Sequence, residues 1–260
     1  MTLSTHASTD AAQQDERDLR RELAACYRVI AHYKMTDLIA NHISVRIPGR
    51  EHHFLLNPYG LLYEEITASS LVKVDLDGRV VEPSPYTVNP AGFVIHSAIH
   101  GAREDARCVL HTHTQAGCAV AAQKDGLLPL NQMSLEFYNR VAYHDYEGVA
   151  TNLEERTRLV EHLGDRPVMI LRNHGLLAVG TTVAEAFYRI FYLERACQIQ
   201  IAAQAAEVVM PSPELCEYTY RQMNDPGSLG DDLLEDDDVI ELTWAAMLRL
   251  VERLYPDYKD

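Results

Sequence analysis

The chain is 260 residues long and 47% apolar, with 23 Lys and Arg against 38 Asp and Glu for a net charge of −15. This composition fits a soluble globular chain with one large domain, or a domain carrying a tail. No stretch approaches the roughly 20 uninterrupted apolar residues of a membrane helix, and Met1 to Gln14 lacks the apolar core of a signal peptide. The acidic balance repels a phosphate backbone and no basic patch offsets it, so neither nucleic acid nor membrane is an expected partner. Five cysteines spread from Cys26 to Cys216 without a C-x-x-C pair fit reduced thiols and a cytoplasmic location.

Residues 1–17 are small, polar and aperiodic at the start and are expected to form a flexible extension. From Asp18 to about Tyr33, Leu19, Leu23, Cys26, Tyr27 and Ile30 recur at helical steps and predict an amphipathic helix. Between Asn41 and Val81 the period shortens. Ile43, Val45 and Ile47 alternate with His42, Ser44 and Arg46, Phe54–Leu56 precedes an Asn57-Pro58-Tyr59-Gly60 turn, and Val72, Val74 and Leu76 lead to an Asp77-Gly78 hairpin signal. This is the pattern of an antiparallel sheet.

Asn89-Pro90 predicts a helix start, and the helix carries His96 and His100 four residues apart. Cys108 to His113 reads as a strand, Gln115 to Gln123 as a helix, and Val141 to Tyr146 and Val168 to Leu171 as further strands. The last runs into Arg172-Asn173-His174-Gly175. Thr182 to Ala206 predicts a long, mostly buried helix, closed by Pro211-Ser212-Pro213. An acidic linker then extends to Asp238, and a final helix spans about Val239 to Leu254. The expected partition is a main domain over 18–210 and a tail over 211–260. Helices flanking a mostly antiparallel sheet define an α/β or α+β domain.

The 12 histidines are the unusual component. His111 and His113, at i and i+2 on a strand, leave the same face with Cα atoms about 6.6 Å apart. Two imidazoles so placed can converge on one cation at about 2.0–2.1 Å, and His174, at a chain turn before a glycine, can add a third. Three nitrogens with open coordination describe a catalytic rather than a structural site, and no cysteine joins the cluster.

Four ordered segments carry a resemblance: Asn41-His42-Ile43-Ser44-Val45-Arg46, Asn57-Pro58-Tyr59-Gly60, Arg103-Glu104-Asp105 with His111-Thr112-His113, and Asn173-His174-Gly175-Leu176. Together, over about residues 18–207, they resemble the class II aldolase/adducin amino-terminal domain family, which includes fuculose-phosphate aldolase, ribulose-phosphate 4-epimerase and the adducin head. The resemblance implies a three-layer α/β/α fold around a central, mostly antiparallel sheet. It also implies a divalent metal on His111, His113 and His174, substrate contacts from Asn41 and Gly60, and a homotetramer with active sites between subunits. Zinc is the expected metal, with Mn, Fe or Co as alternatives on imidazole ligands.

The chain departs from the family's sugar-phosphate aldolases at one segment. Where they carry Ser-Ser-Glu, this sequence has Pro90, Ala91 and Gly92, which offer neither hydroxyls for a phosphate nor a carboxylate for proton transfer. Tyr59 also replaces a small hydroxyl residue. The expected substrate is therefore a small, unphosphorylated hydroxy- or oxo-acid. The expected reaction is C–C cleavage, by aldol or decarboxylation chemistry, through a metal-stabilised enolate. Candidates to replace the missing acid/base are His96, Glu136 and Tyr146, with His100, Tyr143 and His144 behind them, and Tyr218 and Tyr220 of the tail further back. A non-heme iron oxygenase and a non-catalytic adducin-like interaction module are the competing readings.

Overall fold

The computed structural model describes residues 4–49, 52–149, 154–225, 227 and 236–260. Its strands are β1 (His42–Arg46), β2 (Phe54–Leu56), β3 (Val72–Val74), β4 (Cys108–Thr112), β5 (Val141–His144), β6 (Val168–Leu171) and β7 (Gly175–Gly180). They form one seven-stranded sheet in the order β3-β2-β1-β4-β7-β6-β5, antiparallel throughout except for the parallel β5–β6 pair at one edge. The helices are α1 (Ser4–His32), α2 (Pro90–Ala102), α3 (Gln115–Ala121), α4 (Gln132–Leu135), α5 (Glu155–Leu163), α6 (Val183–Ala203), α7 (Pro213–Asn224) and α8 (Asp236–Leu254).

Strand periodicity divides the core in two. Ile43, Val45, Cys108, Leu110, Val168, Ile170, Leu176 and Ala178 face one side, where they pack with Leu23, Tyr27 and Ile30 of α1, Val120 of α3, and Phe187, Ile190 and Leu193 of α6. Their neighbours Val109, Met169, Leu171, Leu177 and Val179 face the other side, against Ile95 and Ile99 of α2 and Leu159 and Leu163 of α5. The fold is thus the expected three-layer α/β/α arrangement. Covering both faces of a sheet removes the polar half of the alternation, which is why β6 reads as the unbroken run Val-Met-Ile-Leu, buried at every position.

Local signals set several boundaries. The Asn89 side chain accepts from Ala91 N and Pro90 occupies the first turn, so α2 starts where the sequence predicts. Thr182 caps α6 by accepting from Glu185 N. The Asp77-Gly78 turn forms, with Gly78 at φ +86, but the returning strand is reduced to the single bridge Val74–Val80. Asp75 competes for the backbone there, its carboxylate accepting from Asp77 N and Arg79 N.

Two expectations at the ends are corrected. Helix α1 begins at Ser4 rather than near Asp18, so the aperiodic start read as an extension is helical. The stretch read as an acidic linker contains α7. Ser212 accepts from Leu215 N with Pro213 in the first turn, so the Pro-Ser-Pro signal taken as a stop marks a start, and α6 has already ended at Ala203. Of the acidic run Glu235 to Asp238, also assigned to the linker, Asp236 to Asp238 open α8, and Glu235 lies outside the described residues.

Ile99 is fully buried between α2 and the sheet. Ile99→Ala is expected to cost about 2–5 kcal/mol, read as a lower urea midpoint at unchanged slope.

Candidate metal centre

Strand β4 is central, paired with β1 on one side and β7 on the other. His111 lies opposite His42 in one register and opposite Leu177 in the other. Just past the end of β4 comes His113. The β6–β7 connection turns through Asn173, at φ +55, and carries His174 to the same end of the sheet. The three side chains meet, with one ligating atom from each within 4.8 Å of the others. His113 Nε2 lies 2.7 Å from His111 Nε2 and 2.9 Å from His174 Nε2.

Gly175 makes this approach possible. A Cβ there would sit 2.4 Å from the Thr112 carbonyl oxygen, 3.1 Å from His113 Cδ2 and 3.3 Å from His111 Cε1. The glycine after His174 is thus required by close packing of the turn against the other two ligands' strand.

Hydrogen bonds orient the rings. His111 Nδ1 lies 2.8 Å from the carbonyl oxygen of Leu176, which can only accept, so Nδ1 carries the proton and Nε2 keeps its lone pair. His113 Nδ1 lies 3.1 Å from an Asp37 carboxylate oxygen, with the same consequence. Two bare lone pairs therefore face each other at 2.7 Å, an arrangement that calls for a cation between them. Burial holds the His111 imidazole well below its usual range, with His174, His42 and His113 adding to the effect. Burial, then His113 and His144, brings His174 down to about 4. The donor set fits a divalent cation, as neutral imidazole ligation requires.

The other predicted residues fall into different places. Asn41 is fully buried, its Oδ1 accepting from Asp37 N, and its Nδ2 has no partner among the described residues. Gly60, at φ +103, closes the turn after Pro58 with open space around it. Tyr146 lines a small cavity together with His174, His144 and Arg172. Glu136 does not join the centre: with Arg140, Arg166, Arg189 and Tyr220 it lines a cavity that none of the three histidines reaches. Tyr220 is committed there, its hydroxyl accepting from Arg140 Nε at 3.2 Å. Tyr218, also on α7, is exposed. Tyr143 supports a loop, its hydroxyl accepting from Leu127 N with Arg172 stacked on its ring. His144 is held between His162 and Glu155.

His96 and His100 are fully buried under the sheet and point to β1. His96 Nε2 is 2.7 Å from His42 Nδ1, and Ser44 Oγ touches His96 Nδ1 and lies 2.7 Å from His100 Nε2. Sequence reasoning missed Asp37 and His42. Asp37 gives no signal. His42 stands in both the alternating pattern and the family-like segment Asn41–Arg46, but neither signal marks it as a site residue.

The segment 21–201 matches the family described as "Class II Aldolase and Adducin N-terminal domain". An aldolase II superfamily protein from Pseudomonas syringae, 50% identical, superposes with a TM-score of 0.87 over 95% of this chain and 96% of its own. The L-fuculose 1-phosphate aldolase of Glaciozyma antarctica, 28% identical, gives 0.83 over 96% of this chain and 94% of its own. Alpha-adducin of Rattus norvegicus is 42% identical over 94% of this chain, which spans only 34% of that protein. The chain belongs to the class II aldolase and adducin amino-terminal domain family. Among the described residues, no helix is long and apolar enough to cross a membrane.

Two outcomes follow. Gly175→Ala is expected to force β4 and the His174 turn apart and weaken retention of a divalent metal, read by elemental analysis of the dialysed protein. The second concerns pH. Burial brings His100 down to about 3 and His96 well below its ordinary range, whereas imidazoles of the unfolded chain titrate near about 6.5. Protons thus enter the unfolded state first as pH falls. Stability of the metal-free protein should be full above about pH 6.5, decline as pH drops below it, and stop declining from this source below the folded values. Urea midpoints at a series of pH values check this, with a shallower decline expected in His100→Gln.

Proposed function

We propose that this chain is a metal-dependent lyase that cleaves a C–C bond of a small, unphosphorylated hydroxy- or oxo-acid. The observation that carries the reading is the convergence of His111, His113 and His174 with two outward ring nitrogens already committed to acceptors, which leaves neutral lone pairs turned inward, and among the described residues no cysteine joins the three. A divalent cation held there, zinc first and Mn, Fe or Co as alternatives, supplies Lewis-acid chemistry to a bound carbonyl or carboxylate.

The protein's own groups do the rest. Asp37 fixes the His113 ring, and the Leu176 carbonyl fixes His111. Asn41, with a buried amide nitrogen lacking an acceptor, and the Gly60 turn are the proposed substrate contacts. Pro90, Ala91 and Gly92 provide neither hydroxyl nor carboxylate, which favours an acid over a sugar phosphate and a reaction that needs no prior proton abstraction. Tyr146, which lines a small cavity together with His174, is the proposed proton donor to the product.

The resemblance to alpha-adducin motivates a second reading, an interaction module without catalysis. Elemental analysis separates the two. Stoichiometric divalent metal in the wild-type protein, lost together with lyase activity on a panel of hydroxy- and oxo-acids in His111→Ala, is the expected result; a metal-free wild type, or a metal-free mutant that stays active, overturns it. Asp37→Asn should keep the fold and weaken metal affinity about 10- to 100-fold in a competitive chelator titration.

A further inference from the structure

Behind the three histidines a second file of buried polar side chains crosses from β1 to α2 and ends on the backbone. His42 Nδ1 meets His96 Nε2 at 2.7 Å, Ser44 Oγ meets His96 Nδ1, Ser44 Oγ meets His100 Nε2 at 2.7 Å, and His100 Nδ1 meets the carbonyl oxygen of Ala106 at 3.0 Å. All four side chains are buried.

The far end dictates the direction of every bond. The Ala106 carbonyl can only accept, so His100 Nδ1 donates. A neutral imidazole has one N–H, hence His100 Nε2 accepts, and the donor to it is the Ser44 hydroxyl. That hydroxyl has a single proton, so toward His96 it accepts, and His96 Nδ1 donates. His96 Nε2 then accepts from His42 Nδ1. Burial keeps these rings neutral, and no member has to change charge for the order to hold.

The outcome is a His42 ring with its proton on Nδ1 and a lone pair on Nε2, which makes no hydrogen bond among the described residues. This ring lies 4.9 Å, centroid to centroid, from His111. Its Cδ2–Nε2 edge runs over the bare Cα of Gly92: a Cβ there would stand 2.5 Å from His42 Cδ2 and 3.0 Å from Nε2. The ring takes the room that a side chain at 92 would need.

We propose that the file His100–Ser44–His96 is a one-way hydrogen-bond relay that locks His42 as the Nδ1–H tautomer, so that its Nε2 accepts a hydrogen bond from a substrate hydroxyl beside the metal centre. His42 is the contact residue; Ser44, His96 and His100 are positioning residues. Recognition of a hydroxyl rests on the hydroxy-acid reading above, whereas the tautomer does not.

Long-range proton–nitrogen NMR of the uniformly labelled, zinc-loaded protein reads each tautomer directly. His42, His96 and His100 should all show a protonated Nδ1 and a bare Nε2. Ser44→Ala, which keeps the rings but removes the link, should scramble the His96 and His42 tautomers. Gly92→Ala should detach His42 from His96, although alanine in a helix ordinarily stabilises it. A protonated Nε2 on His42 in the wild type, or a His42 signal unmoved by both variants, overturns the relay. For the contact, L-lactate and propionate, which differ by one hydroxyl, serve as probes in calorimetric titrations. The wild type should prefer lactate, and His42→Phe, with its zinc content verified, should lose about 3- to 10-fold of that preference, the worth of one hydrogen bond. Equal preference in both proteins, or none in the wild type, overturns the contact. Failure of the wild type to retain zinc would instead sink the metal-centre reading, and the tautomers of the metal-free protein would still decide the relay.

Discussion

The site depends on the placement of β4 between β1 and β7, with backbone hydrogen bonds on both edges. Two ladders fix its register twice over, and a slip of one residue would carry His111 from the α2 side of the sheet to the α1 side. Once that register is set, His42 opposes His111, Leu176 presents its carbonyl to the His111 ring, and the β6–β7 turn delivers His174 to the end of the strand. The His42, Leu176 and His174 contacts thus follow from strand pairing, with Gly175 where the turn crowds the β4 backbone.

The two sides of the sheet do different work. The α1/α3/α6 side carries the larger apolar cluster and supplies most of the hydrophobic drive, with Arg28, Thr112, Glu194 and Gln200 buried among it. The α2 side mixes Ile95 and Ile99 with His96, His100, Ser44, His42 and His111. Burying so many rings is costly unless each nitrogen is matched, and the carbonyls of Ala106 and Leu176 supply the terminal acceptors. The polar side gives up stability in return for fixed ring orientation.

Much of this was legible in the chain. The Asn89-Pro90 cap, the alternation in β1, the apolar run of β6 and the faces of α6 all carry their structure in local pattern, and the H-x-H pair with a distant Asn-His-Gly pointed to the three convergent rings. What could not be read is long-range. Asp37 sits in an irregular segment, and only the fold puts it against His113. The alternation of His42 and Ser44 was seen, but helix α2 supplies their partners from more than fifty residues away, so the polar face turned inward rather than out. Pro-Ser-Pro was misread because a proline after a serine stops one helix and starts another with the same letters. Glu136 was proposed on residue type alone, and the chain takes it to another cavity.

The contact between His42 and Gly92 also bears on how this branch of the family can change over time. The two positions compete for one volume, so neither can be altered without regard to the other: a carboxylate introduced at 92 meets the ring, and a smaller group at 42 leaves a void beside His111. Sequences on either side of that exchange are separated by a valley that single substitutions must cross. The effect of changing either position therefore depends on what stands at the other, although the two lie on different elements and some fifty residues apart.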